Sequence, residues 1–180
     1  MKLIIVGGGK VAYYLVNALE KTHEITIIEE DEEVARKAAN HLFVSVVHGD
    51  GTTLDVLTSA DCERADMFVA VTGKDEVNLV ACQVAKKYYH VPMTIARVNN
   101  PKNLDVMNRF GVDRVYSGTK ILAEMIEQEI EFSGIHIVHE IQNSDRVLCE
   151  FILSPHSAAC EKTLLEYDFV KDVQIGRAHV

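Results

Sequence analysis

Over the first two thirds of the chain the hydrophobic positions fall into six short runs. They are Leu3–Val6, Ile25–Ile28, Phe43–Val47, Met67–Val71, Thr94–Val98 and Arg114–Tyr116. Between them polar and apolar residues alternate at helical spacing, in Val11–Glu20, Glu32–His41, Thr53–Leu57, Glu76–Tyr89 and Asn103–Phe110. Runs that are apolar at successive positions bury both faces of a strand, and single helices between them indicate a parallel sheet covered on both sides. Right-handed crossovers then predict an α/β, doubly wound sheet of six strands in two halves.

A longer helix is predicted from Lys120 to Phe132, with Ser117 or Thr119 available as its cap. Ile121, Leu122, Met125, Ile126 and Ile130 form one apolar stripe on it. Because the sheet is already complete, the stripe faces either another subunit or its own domain, and the pattern favours neither. At Ser133-Gly134 the character changes. His136–Ile141 and Arg146–Leu153 read as antiparallel strands around an Asn143-Ser144-Asp145 turn, with a short helix following at Glu161–Glu166. The expected organisation is a nucleotide-binding domain at 1–133 and a partial α+β domain at 134–174, too small for an independent core. Residues 175–180 are expected to be a non-native tail. One coding of them matches the start of a common sequencing-library adapter, so the natural chain is expected to continue past Gln174.

Composition narrows the function classes. The net charge is −9 over 180 residues, and no basic cluster stands out to neutralise phosphodiester, so no nucleic-acid partner is expected. No apolar run approaches the ~20 residues of a membrane span. Leu3–Val6 is too short for a signal peptide, which predicts a cytoplasmic protein. Cys62, Cys82, Cys149 and Cys160 are widely spaced without a CxxC pair, and read as small hydrophobes rather than a disulfide or metal framework.

The candidate chemistry lies in Gly7, Gly9 and Ala12, a G-x-G-x-x-A pattern directly after the first strand and opening the first helix. The first glycine permits a tight turn, the second a close approach to pyrophosphate, and the small third residue close helix–strand packing. Free N–H groups at the helix start then face the anion. Glu29, at the end of the second strand, has the spacing and chemistry to accept ribose hydroxyls. Together with Glu30, Asp31, Glu32 and Glu33 it repels a 2′-phosphate, which favours NAD(H), ADP or ATP over NADP(H). This makes Met1–Glu29 the opening βαβ unit of a Rossmann-like fold. Gly8-Gly9-Lys10 is not a Walker A loop, because Val11 stands where magnesium needs Ser or Thr.

Other polar residues fall at carboxyl ends of strands, where open α/β sheets hold ligands. Asp50 and Gly51 follow the third strand, Thr72 and Gly73 the fourth, and Arg97 ends the fifth. Asp50 is suited to an adenine edge, and Lys10 or Arg97 to phosphate oxygens. Asp75 and Asn78 open the next helix, where plain capping is at least as strong a reading.

With these segments assembled, the chain resembles the RCK domain family, of the TrkA-N type. The resemblance is carried by IIVGGGKVA, the acidic residue in ITIIEED, HGDGT, ADMFVAVTGKDEVNLVACQVAK, ARVNNP and GVDRVYS. From about His136 the chain is similar to the start of the family's small companion domain, through SPHSAACEKTLLEYDF. The resemblance implies that Gly7, Gly9 and Ala12 hold the dinucleotide phosphates, within a loop completed by Gly8, Lys10 and Val11. It further implies Glu29 on the ribose, Asp50 at the adenine end, and Thr72 and Gly73 along the crevice. Lys10 replaces an arginine that contacts phosphate in many members. The family's function implies a cytoplasmic regulatory subunit that binds NAD(H), or ADP/ATP, on the inner face of the plasma membrane. Its partners would be an integral membrane potassium-transporting subunit and further copies of itself, as dimers assembling into a ring.

The alternative is a small NAD-dependent oxidoreductase domain, whose cofactor loop would look the same. Hydride transfer also needs a substrate domain and a proton-transfer residue. Only a short segment follows the sheet, and His48, near the Gly49-Asp50 turn, has no evident partner. No enzymatic activity is expected.

Overall fold

The computed structural model describes residues 1–130, 135–140, 147–151, 156–158, 160 and 162. The chain divides into two compact units, Met1–Glu124 and Met125–Val180. The first unit alternates strand and helix: β1 (Lys2–Val6), α1 (Lys10–Leu19), β2 (Glu24–Glu29), α2 (Glu32–His41), β3 (Ser45–His48) and α3 (Leu54–Ser59). It continues with β4 (Met67–Ala70), α4 (Asp75–Lys87), β5 (Met93–Arg97), α5 (Leu104–Arg109) and β6 (Arg114–Tyr116). All six strands pair in parallel, in the order β3-β2-β1-β4-β5-β6. This is the expected doubly wound, Rossmann-like sheet.

Each face of the sheet has its own core, and the period-two alternation of strand side chains explains the division. Ile4, Val6, Phe68, Ala70, Ala96 and Val98 face one way, onto Leu57 of α3, Ala81 and Cys82 of α4 and Met107 of α5. Leu3, Ile5, Ile25 and Ile27 face the other way, onto Ala12 and Val16 of α1 and Ala38 of α2. Ile4, Ile5, Ile27 and Phe68 are completely buried, each contributing about 1.5–3 kcal/mol relative to exposure. Charges at helix ends follow the dipole. Asp75 and Glu76 occupy the first turn of α4 and Lys86 and Lys87 the last. Asp31 caps α2, its Oδ1 accepting from the Val34 N–H at 3.0 Å.

Element limits differ modestly from the pattern-based expectation. β3 starts at Ser45 rather than Phe43, whose side chain is 95% exposed, because the edge strand has no neighbour to cover its first residues. α6 runs over Gly118–Ile130, two residues ahead of the expected start, and the Ser117 hydroxyl accepts from the Lys120 N–H. Of the two caps offered, Ser117 serves and Thr119 lies within the helix. Within the first unit Ile121 and Leu122 are about half exposed, so the stripe there does not pack on its own sheet.

In the second unit β7 (Ile135–Glu140) and β8 (Val147–Phe151) pair antiparallel, as expected, with a register shift between Ile137 and His139. The end of the expected helix at 131–132, the Asn143-Ser144-Asp145 turn and residues 175–180 lie outside the described residues. So does the helix expected at Glu161–Glu166, of which Lys162 alone is described.

Candidate functional site

The strand order places β2 and β4 on either side of β1, so their carboxyl-terminal loops flank the glycine loop. Gly7 has a φ of +101°, a conformation that favours glycine, and its N–H donates to the Ile28 carbonyl at 2.8 Å. A Cβ there would lie 3.1 Å from the backbone nitrogen of Thr72, so the turn is pressed against the β4 loop. A Cβ on Gly8 would sit 3.2 Å from both Glu29 Oε2 and Val34 Cγ1. Gly9 differs: a Cβ there would meet nothing within 4 Å. It is the N-cap of α1, makes no side-chain cap, and no acidic residue stands in the first turn. The first N–H groups of α1 are therefore left without a side-chain acceptor, which suits them to an anion. Ala12 is completely buried against the sheet, where a larger side chain would push the helix away.

Glu29 ends β2 half-buried. Its Oε2 accepts from the Gly8 N–H and its Oε1 from the Asp31 N–H at 2.8 Å. The carboxylate thus lies directly on the glycine loop. Gly51 is buried, and a Cβ there would clash with Val6 Cγ1 at the end of β1. Asp50 forms the turn that brings Gly51 in. Its Oδ1 accepts from the Thr52 N–H at 2.8 Å and the Thr52 hydroxyl at 2.7 Å.

The β4 side is built differently. Asn78, on the first turn of α4, is completely buried and uses its whole amide. Its Oδ1 accepts from the Thr72 N–H at 2.9 Å and the Thr72 hydroxyl at 2.7 Å. Its Nδ2 donates to the carbonyls of Thr72 at 3.2 Å and Arg97 at 2.9 Å. Asp75 binds the loop after β5. Its Oδ1 accepts from the N–H and Nδ2 of Asn99, at 2.7 and 2.9 Å, and its Oδ2 from the Asn100 N–H and Asn103 Nδ2. Burial alone raises the Asp75 carboxyl; the donors from Asn99, Asn103 and Asn100 outweigh it and leave the group below the usual carboxylate range. Helix capping is therefore too small a description of Asp75 and Asn78. Their side chains bolt the β4 and β5 loops together.

The structure brings together Gly7, Gly8, Gly9, Ala12, Glu29, Gly51 and Thr72 at the end of β1. Gly73 follows Thr72, exposed and with open space at its Cβ position. Lys10 and Val11 open α1 and are exposed. Arg97 ends β5, two strands from β1, on the face that carries Ile95 and α1. Sequence reasoning passed over Asn99, Asn100 and Asn103. The run of amide side chains in VNNPKN is the available signal, since amides in a loop commonly tie backbone groups. Cys62 and Cys82 are buried, and burial pushes both thiols up to about 12, which leaves them inert at neutral pH.

The TrkA-N domain matches residues 3–118 of the chain. The chain belongs to the TrkA-N domain family. Within it, the Trk system potassium uptake protein TrkA homolog of Methanothermobacter thermautotrophicus is 38% identical over 131 residues, covering 72% of this chain. That match spans 60% of the relative's own length. The Trk system potassium uptake protein TrkA of Mycobacterium tuberculosis is 31% identical over 180 residues, covering 97% of this chain and 80% of that protein. Among solved structures, the GsuK channel bound to NAD superposes with a TM-score of 0.64 at 21% identity, covering 69% of this chain and 23% of that one. GsuK bound to ADP gives 0.63 at 23% identity, covering 73% and 34%. The expected TrkA-N resemblance and the Rossmann-like fold are both borne out. Among the described residues, no helix is long and apolar enough to cross a membrane.

Proposed function

We propose that this chain binds an adenine nucleotide, NAD(H) or ADP/ATP, in the crevice at the end of β1. We further propose that it uses the bound state to regulate potassium uptake through an integral membrane subunit. The observation that carries the reading is the glycine loop, where uncapped α1 N–H groups face open space beside the Glu29 carboxylate. Phosphates suit the first and ribose hydroxyls the second. Gly7–Ala12 would hold the phosphates, Glu29 the ribose and Asp50 with Gly51 the adenine end. Thr72 and Gly73 would line the opposite wall, with Lys10 or Arg97 on phosphate oxygens. Solved relatives bound to NAD and to ADP support that ligand class, and curated relatives named as Trk potassium uptake proteins support the role.

In this reading residues 1–133 form the nucleotide domain and 134–174 the start of a companion domain. The chain works in the cytoplasm against the inner face of the membrane, as copies assembled into a ring. Ligand controls transport only if it binds two arrangements of that ring unequally. Calorimetry and thermal shift with NADH, NAD, ADP and ATP test the proposal. Binding of at least one is expected, and binding of none overturns it; turnover of an alcohol or 2-hydroxy acid with NAD would favour an oxidoreductase instead. Glu29→Lys should weaken NAD(H) binding about tenfold or more, since a ribose acceptor becomes a donor. Unchanged affinity would remove Glu29 from the ribose.

A further inference from the structure

One ion pair joins the two loops that flank the glycine loop. Lys74, in the β4 loop, lies with its Nζ 4.0 Å from Oε2 of Glu30, in the β2 loop. These two loops flank β1, so the pair straddles the ground where a nucleotide's phosphates would lie. Both backbones are held. Lys74 donates its N–H to the Thr72 hydroxyl at 3.2 Å. The Thr72 hydroxyl is itself fixed by buried Asn78. The Glu30 carbonyl is 3.0 Å from His48 Nε2. The two side chains, by contrast, are 64% and 71% exposed and make no other hydrogen bond or ion pair among the described residues, and an exposed pair of this kind contributes very little to the fold. Lys74 is N-cap of α4 by backbone alone, so its side chain is free of any capping duty.

We propose that Lys74 is a phosphate-binding residue of this site, with Glu30 as its stand-in partner in the ligand-free protein. This rests on the nucleotide reading above and specifies which side of the site recognises phosphate. Charge makes the exchange favourable. Residues 29–33 are all acidic, so the β2 wall repels phosphate and a cation is needed from the wall opposite. Lys74 stands on that wall at the end of a rigid loop. A terminal phosphate offers more charge and more acceptors than an exposed carboxylate, and draws the ammonium off Glu30. Ligand is then bound against the competition of Glu30, and discrimination follows the number of phosphates rather than the base.

The test compares ADP, AMP and adenosine on the whole chain, by calorimetry and thermal shift. Lys74→Gln is expected to weaken ADP about tenfold, the size of one lost charge-assisted contact, and AMP less. Adenosine should bind unchanged, and Lys74→Arg should retain most of the ADP affinity. Glu30→Gln, by removing the competitor, is expected to strengthen ADP about two- to threefold. ADP affinity within twofold of wild type in Lys74→Gln overturns the assignment, as does an equal loss for adenosine, which would indicate damage to the loop. Unchanged ADP affinity in Glu30→Gln overturns the competition. Wild-type protein that binds none of NADH, NAD, ADP and ATP overturns the nucleotide reading itself, and this inference with it.

Discussion

The two loop systems at the carboxyl edge of the sheet solve opposite problems. Around β4 and β5 the polar side chains of Asn78 and Asp75 are spent internally. Asn78 makes four hydrogen bonds and Asp75 four more, all to Thr72, Arg97 and the Asn99–Asn103 segment. Around β1 the donors at the start of α1 have no side-chain acceptor, and Gly9 faces open space. The first is a frame and the second an opening in it. A ligand site needs both, because donors left unpaired hold their aim only if the wall beside them is fixed.

The comparison breaks first at Asn78. Asn78→Ala leaves the Thr72 N–H and the Arg97 carbonyl without partners in a buried place, and should destabilise the protein by about 3 kcal/mol in denaturant titration. A loss under about 0.5 kcal/mol, the ordinary surface value, would show that the bolt is not what holds the two loops.

Asp75→Asn comes next, with an expected cost of about 1–2 kcal/mol at neutral pH from weakened charge-assisted bonds. Its pH dependence follows from the direction of the shift. The folded Asp75 carboxyl lies below the unfolded value of about 3.9, so the stability it contributes is present above that value. That increment is lost as pH falls through the folded value. The gap between wild type and Asp75→Asn should therefore be full at pH 6 and close below about pH 4. A gap that is constant from pH 7 to pH 3 would mean the carboxylate charge is irrelevant.

The smallest effect on the fold is expected at Gly9. Its φ of −74° suits any residue and a Cβ meets no protein atom, so Gly9→Ala should change stability by less than about 0.5 kcal/mol. If the opening is the phosphate site, the same methyl should weaken ADP or NADH about tenfold or more. A variant that binds as well as wild type would move the phosphates away from this loop.

Much of the first unit was legible in the sequence because parallel strands buried on both faces leave uninterrupted apolar runs, and Leu3–Val6 and Ile25–Ile28 were such runs. Gly7, Ala12 and Glu29 were legible because each meets a local demand: a left-handed turn, close packing, an acidic strand end. Phe43 misled the limit of β3, since an apolar residue at an edge need not be covered. Asp75 and Asn78 were underestimated for another reason. Helix-start residues satisfy a local rule that hides their long-range bonds.

The sequence by itself determined the alternation of strands and helices, the glycine turn and the acidic end of β2, since these depend on short-range sterics and periodicity. Only the tertiary structure decided which side chains tie the strand-end loops to one another. It joined Thr72 to Arg97 through Asn78, and brought Lys74 to Glu30, forty-four residues apart. Strand order sets those neighbours, and no spacing along the chain encodes it locally.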